Sequence, residues 1–449
     1  MKSSREAAFE ILYRISSDAS YSNLTLDKVQ KENNLSGKDA AFCTALTYGV
    51  LERQLTLDFI IRQYSSLRLK KIEPKALIIL RMGVYQLLYM DSVHSGAAVN
   101  ESVNLAKKLK LHKASGFING LLRSFVRADL SYKMPDKNDK VKYLSVKFSC
   151  PEEIVKFWLK SYPENLVEDM LEDFMGRPEL TLRVNTLKIS RDELIAELEE
   201  TGVKCEKSLL SENALNVSST GAVENLSAFR EGRMYVQDIS SIIASEVVNP
   251  KAGEKVADVC AAPGSKSFSM ALLADDKAEV SSFDLYPHKV ELIKKSAQRL
   301  SINSITAEVR DALSDEKELE GKFDAVLCDA PCSGLGVIGR KPEIRYKSFD
   351  QMQNLPELQY KILANTAKLV KKGGRLIYST CTLNPEENGR IADKFLASHK
   401  DFKALPLKLN ENIKRGISEP ENQLTLFPHI NNTDGFFVSA FEKVGDSDD

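Results

Sequence analysis

The sequence predicts a multidomain protein in three parts: an all-α bundle over residues 1–130, a helical link with a small α/β module over 131–235, and a doubly wound α/β domain over 236–449. Three observations carry this reading. Apolar residues recur at three- and four-residue spacing through the first third. The stretch "LTLRVNTLK" alternates as a half-buried strand does, and the helix pattern "SRDELIAELEETG" follows it. From residue 254 onward strand and helix patterns alternate, the rhythm of a mostly parallel sheet with helices on both faces.

Each part has its own signals. In the first, "EPKALIILRMGVYQLLYM" sets Leu77, Leu80, Val84, Leu87 and Leu88 on a helical repeat, with Pro74 suited to the first turn. "DAAFCTALTYGVLERQLTLDFIIRQY" and "AAVNESVNLAKKLK" repeat the theme, and Asp39 is the expected cap of the former. A polar, lysine-rich link leads into the helical "PEEIVKFWLKSYPENLVEDMLEDFM". In the last part the strands read "EKVADVC", "AEVSSFD", "SITAEV", "FDAVLCD" and "GRLIYST", separated by helices such as "HKVELIKKSAQRL" and "PELQYKILANTAKLVKK".

Composition narrows the function. At 449 residues the chain is too long for one ordinary core, and 43% hydrophobic with 28% charged residues excludes a disordered chain. "MKSSREAAFEILYRISS" lacks the apolar core of a signal peptide, and Arg81 and Gln86 interrupt "ALIILRMGVYQLLYM" well short of a membrane span; a cytoplasmic protein is expected. Seven scattered cysteines without a CxxC pair imply free thiols. Cys328 and Cys332 lie four apart with no histidine nearby, so no metal site is expected. The net charge of −1 conceals +7 over residues 1–130 and −8 over the remainder. A basic amino-terminal part suits a nucleic-acid partner, although solvated helix faces give the same balance.

The candidate site lies at strand ends, where ligands of such sheets bind. "VCAAPGSKS" is the first strand-to-helix turn: Ala261, Ala262 and Gly264 admit a ligand close to the backbone and Pro263 stiffens the loop. It lacks the G-x-G-x-x-G pattern of a pyrophosphate cradle. Asp284, twenty residues past Gly264, ends the next strand, where a carboxylate takes both hydroxyls of a ribose. A nucleoside without phosphates fits better than a dinucleotide. Asp311 and Asp329 end the third and fourth strands; one such aspartate is an ordinary turn residue, but three in register point to a site. Cys332 follows the fourth strand and Cys381 ends the fifth, so both thiols face one cleft if those strands are neighbours. The plainer reading, small buried hydrophobes, is kept for Cys43, Cys150, Cys205 and Cys328, with Cys260 beside the ligand loop. Residues 330–375 carry nine Lys and Arg, among them Arg340, Lys341 and Arg345, against three acids, a block suited to a phosphate backbone.

The blocks "CAAPGSK", "DAPCSGLGVIGRKPEIR", "YSTCTLNPEEN" and "DGFFVSAFEK", in that order and spacing, resemble the signatures of S-adenosylmethionine-dependent RNA cytosine-5 methyltransferases. "YGVLERQLTLD", "RMGVYQLLYM" and "FINGLLR" resemble the NusB-like helical domain joined to these enzymes in the RsmB (Sun, Fmu) branch. The chain departs from the pattern at Ser265, where a second glycine is usual, and at Gly339, where the usual run is "IRRKP". The resemblance implies a Rossmann-like methyltransferase domain binding S-adenosylmethionine through Cys260, Ala261, Ala262, Pro263, Gly264, Ser265, Lys266, Asp284, Asp311 and Asp329. It assigns the nucleophile to Cys381 and release to Cys332; Asp329 is placed to hydrogen-bond the base and stabilise the adduct. It also implies a ribosomal RNA or small-subunit precursor as partner, and a monomer.

Two thiols make chemical sense of that assignment. Cytosine C5 attacks a methyl sulfonium only after a thiolate adds at C6, and the adduct must later lose the C5 proton and expel the sulfur. A free thiol has a pKa of about 8.5, so Cys381 needs positive charge nearby, for which Lys266, Arg340 and Lys341 are candidates. The alternatives are a silent RNA-binding or antitermination protein, against which both cysteines and all the acids stand, and an enzyme of another RNA, of DNA or of a small molecule. DNA cytosine-5 methyltransferases generally draw their nucleophile from the Pro-Cys loop, so Cys381 in a Thr-Cys block favours RNA.

Overall fold

In the computed structural model, which describes residues 2–18, 22–176, 178–315 and 317–444, the chain divides into two compact units. The first comprises Met1–Gly176 with the later segment Ile338–Lys347; the second comprises Arg177–Val337 with Ser348–Asp449. The helices Lys140–Lys147, Glu152–Ser161 and Glu164–Asp173, read from sequence as part of a link, therefore belong to the same unit as the bundle.

Among its described residues the regular elements of the first unit are all helices. Pro74–Tyr89 runs through its middle, with Ile78, Ile79, Leu80, Met82 and Val84 all buried. Pro74 opens that helix, where its missing N–H costs nothing. Around it pack Ile11 and Leu12 from Ser4–Asp18, Leu46 and Val50 from Gly37–Glu52, Ile60 and Ile61 from Gln54–Tyr64, and Leu122 and Phe125 from His112–Arg127. Asp39 does not cap its helix. Ser36 holds the cap position, and Asp39 sits in the first turn, where its carboxylate accepts a 2.6 Å bond from Ser4 Oγ.

Arg345 corrects a sequence expectation. It is 1% exposed, so its guanidinium faces no phosphate in solvent. It donates instead to the carbonyls of Glu52 (3.1 Å), Phe148 (3.2 Å), Ser149 (3.4 Å), Phe174 (3.5 Å) and Ile338 (3.3 Å). Glu52, Phe148 and Phe174 stand at the carboxyl ends of three helices, whose last carbonyls lack intrahelical donors and carry the negative end of the helix dipole. One delocalised cation with five N–H groups answers all three, and Tyr346 adds a 2.8 Å bond to the Leu51 carbonyl.

The second unit holds two sheets. The smaller has order β2-β3-β1-β4, all antiparallel: β1 Leu180–Val184, β2 Lys204–Lys207, β3 Ala214–Ser218 and β4 Met234–Val236. Helix Arg191–Glu200 opens with a capping box between Ser190 and Glu193 and lays Leu194 and Leu198 on Leu182, Val184 and Leu215.

The larger sheet has order β10-β12-β9-β8-β5-β6-β7, with β11 on the far side of β12. Its strands are β5 Lys255–Asp258, β6 Glu279–Asp284, β7 Ile305–Val309, β8 Phe323–Asp329, β9 Val370–Thr380, β10 Phe402–Ala404, β11 Gln423–Leu426 and β12 Phe436–Lys443. β9, β8, β5, β6 and β7 run parallel; β12 joins β9 antiparallel. Successive side chains of a strand face opposite ways. Ala325, Leu327 and Ile377 thus join Phe268, Met270 and Ile293 on one face, while Val326, Cys328 and Tyr378 join Ile362, Leu363 and Phe395 on the other.

Replacing Arg345 with alanine strands five carbonyls at once. Arg345→Ala is expected to destabilise the first unit by about 3 kcal/mol or more, read from a denaturant titration of the helical signal. An unchanged midpoint would show that the guanidinium is no hub.

Candidate active site

The parallel pairing of β8 with β9 builds the site. Their register opposes Asp329 to Ser379, the last turns of both strands, and Ser379 Oγ donates to Asp329 Oδ1 at 2.7 Å. The loops that follow must then share one edge of the sheet. Cys332 and Cys381 meet there with their sulfurs 3.2 Å apart, both half-buried. The two cysteines expected to face one cleft are in direct contact.

Three further contacts close the loops on each other. Gly336 N donates to the Cys381 carbonyl at 3.1 Å, and Ser333 Oγ lies 2.7 Å from Thr382 Oγ1. Gly435 N donates to the Gly336 carbonyl at 2.9 Å. A Cβ on Gly336 would lie 1.8 Å from that Gly435 carbonyl oxygen, so the backbones touch only because both residues are glycine. Beneath them the fully buried Glu387 accepts from Ser333 N (2.9 Å), Gln359 Nε2 (2.7 Å) and Asn384 Nδ2 (2.8 Å).

A cation from the ligand loop reaches the end of β8. Lys266, in the first turn of helix Ser265–Leu273, forms a 2.7 Å ion pair with Asp329 Oδ2. Burial works against its charge, but Asp329, with Asp258 and the Cys381 sulfur, outweighs burial and holds the ammonium above its ordinary value. Of the three candidate cations, Lys266 lies in the same unit as Cys381, while Arg340 and Lys341 belong to the other. The Cys332 thiol is pushed well above the ordinary thiol range, first by its contact with Cys381, then by burial and by the charges of Cys381, Glu387 and Asp329. One thiol of the pair thus keeps its proton.

The remaining candidates line the same strand ends. Gly264 adopts φ +105°, and a Cβ there would lie 2.5 Å from the Phe268 ring. Asp284, 6% exposed, ends β6 and accepts from Ala262 N (3.2 Å) and Tyr286 N (3.1 Å), tying the ligand loop to the next strand. Asp311 lies two residues past β7, exposed, and holds its own turn through Leu313 N at 2.9 Å. Cys260 is half-buried beside Ala261, whose N–H bonds the Phe283 carbonyl. Of the other lysines in the basic block, Lys368 pairs with Asp315 and Lys371 with Asp324, the solvated-face reading. Among the described residues no group of three or more His, Cys, Asp or Glu suits a metal.

Sequence reasoning missed Asp258, Gln359, Ser379 and Glu387. Asp258 ends β5 at 1% exposure, with Oδ2 accepting from Ser267 Oγ at 2.7 Å and Oδ1 without a partner. Its signal was present in "VADVC", an acid ending an apolar strand, as Glu387 was in "NPEEN".

Comparison with known proteins decides the family. The chain is 37% identical over 447 residues to the probable ribosomal RNA small subunit methyltransferase B of Bacillus subtilis, covering 98% of this chain and 99% of that one. It belongs to the RsmB/F family of RNA methyltransferases. A protein of the same description from Synechocystis is 35% identical over 99% of this chain and 100% of its own. The family model for the 16S rRNA methyltransferase RsmB/F matches residues 245–442, the NusB family model residues 2–127, and the RsmF/B-like ferredoxin-like domain residues 150–224. The crystal structure of PH0851 superposes with a TM-score of 0.84 at 29% identity, over 98% of both chains. The expected helical amino-terminal domain and Rossmann-like methyltransferase domain are both present, and among the described residues no helix is long and apolar enough to cross a membrane.

Asp258 yields a pH signature. Burial is the main cause that pushes its carboxyl up to about 7; Asp329 adds to this, and Ser267, Lys266 and the Cys260 backbone oppose it. An unfolded aspartate titrates near ~3.9, so between that pH and about 7 the folded state holds a proton that the unfolded state has lost. Stability from this group is full below ~3.9 and falls as pH rises to about 7. Asp258→Asn lacks this titration, so the stability difference between variant and wild type is expected to change by up to about 1.4 kcal/mol per pH unit between ~3.9 and about 7. A pH-independent difference would refute the assignment.

Proposed function

We propose that the enzyme transfers a methyl group from S-adenosylmethionine to C5 of a cytosine in small-subunit (16S) ribosomal RNA through a covalent adduct with Cys381. The observation that carries this reading is the 3.2 Å pair of Cys332 and Cys381 beside the Lys266–Asp329 ion pair. Site residues fit the donor. Asp284 offers a carboxylate for a ribose, and Ala261, Ala262 and Gly264 keep the ligand loop small-sided where β5 ends. The cofactor supplies an electrophilic methyl, which C5 takes once a sulfur is bound at C6. The choice of ribosomal RNA rests on the relatives' names.

The chain's own residues divide the work. Cys381, with Lys266 favouring its thiolate, forms the S–C6 bond. Asp329 uses two of its four acceptor positions on Lys266 and Ser379 and keeps others to accept from the N4 amino group of the base, or from N3–H once the adduct is protonated there. After methyl transfer water takes the C5 proton, the C5–H electrons form the C5–C6 double bond, and the S–C6 pair returns to the Cys381 sulfur; Cys332, protonated and in contact, stabilises that sulfur as it departs. A base treated in this way must leave its stack, which calls for an RNA grip outside the pocket.

Two measurements bear on the reading. In calorimetry, Asp284→Ala is expected to weaken S-adenosylmethionine binding by roughly 1.5 to 3 kcal/mol, the range for a hydrogen bond to a charged group; unchanged affinity would remove Asp284 from the cofactor site. On a denaturing gel, Cys332→Ala is expected to give a slow-migrating protein–RNA band, which is absent in Cys381→Ala and in the double variant. A band in Cys381→Ala alone would reverse the roles, and no band in either would return both residues to ordinary packing.

A further inference from the structure

Both oxygens of Glu387 are met by N–H donors, and the orientation of each donor is fixed from behind. Gln359 must turn Nε2 toward it, because the same nitrogen donates to the Pro331 carbonyl at 2.9 Å. Asn384 must turn Nδ2 toward it, because its Oδ1 accepts from Glu386 N at 2.9 Å. Ser333 offers a backbone N–H. Each oxygen of the fully buried Glu387 therefore accepts from a fixed N–H, the arrangement that suits a carboxylate. That carboxylate binds the residue next to Cys332 and Asn384, three residues past Cys381.

We infer that Glu387 is the positioning residue that decides which of the two thiols carries the proton: its carboxylate pins both loops and its charge keeps the proton on Cys332, leaving Cys381 as the nucleophilic sulfur. The surroundings of the pair agree with this. Ser333, next to Cys332, donates its N–H to Glu387 at 2.9 Å, the Tyr378 hydroxyl donates to the Glu387 carbonyl at 2.6 Å, and the charges of Glu387 and Asp329 help to push the Cys332 thiol up. The Cys381 sulfur, in turn, is among the charges that hold Lys266 as a cation. An anion on one side and a cation on the other polarise two otherwise equivalent thiols in contact. The inference rests on the covalent reading for its purpose, but its physical content concerns the free enzyme.

The test is a brief, substoichiometric iodoacetamide pulse on the full chain without RNA or cofactor, with the labelled cysteine located by peptide mass spectrometry. Wild type is expected to label Cys381 ahead of Cys332; the opposite order overturns the inference without any variant. In Glu387→Gln, which removes the charge at nearly the same volume, Cys332 is expected to label about tenfold faster at fixed pH, the factor that one pH unit of titration produces. Glu387→Asp keeps the charge and is expected to keep the order. An unchanged pattern in Glu387→Gln, or the same loss of order in both variants, overturns the role of charge and leaves Glu387 as packing. Loss of the trapped RNA band in Cys332→Ala would instead end the cytosine reading and leave this result standing.

Discussion

The register of β8 on β9 is the constraint on which the site depends. Parallel neighbours end at the same edge, so opposing Asp329 to Ser379 delivers the loops after both strands to one place. Cys332 stands three residues past Asp329 and Cys381 two past Ser379. A one-residue slip would turn one set of side chains to the opposite face and separate the thiols. The glycine contact of Gly336 with Gly435 locks this arrangement from the β12 side, since the first turn of β12 lies against the end of β9.

Charge then distinguishes residues that geometry leaves alike. Asp258, Asp329 and Glu387 gather under one strand edge, where Lys266 pairs with Asp329. Burying so many acids is costly unless each is paired, hydrogen-bonded or neutral. The structure uses all three solutions: Asp329 is paired with Lys266, Glu387 is surrounded by donors, and Asp258, its carboxyl pushed up to about 7, holds its proton below that pH. The cost of this arrangement is borne by a well-packed sheet whose two faces are covered by separate apolar clusters.

Much of this was legible in the sequence because it follows from local pattern. The strands from "EKVADVC" to "GRLIYST" stand where period and turn residues put them, and the acids at their ends mark the ligand edge. What could not be read depends on distant partners. Arg345 looks like any basic residue in a lysine-rich block, and only the convergence of three helix ends, from residues 52, 148 and 174, makes it a buried hub. The pairing of Lys266 with Asp329, 63 positions apart in sequence, could not be read before the fold brought them together. The short strands β2, β3 and β4 carry little alternation of their own and exist through pairing in the small sheet.

The central claim is that Cys381, and not its neighbour at 3.2 Å, bonds to the base. The most direct measurement uses substrate RNA carrying 5-fluorocytosine, which has no C5 proton to lose, so that the adduct stalls after methyl transfer in the unaltered enzyme. Digestion and mass spectrometry of the stalled complex identify the attached residue. The account predicts a methylated nucleotide on the peptide containing Cys381, with Cys332 unmodified; attachment at Cys332 would contradict it.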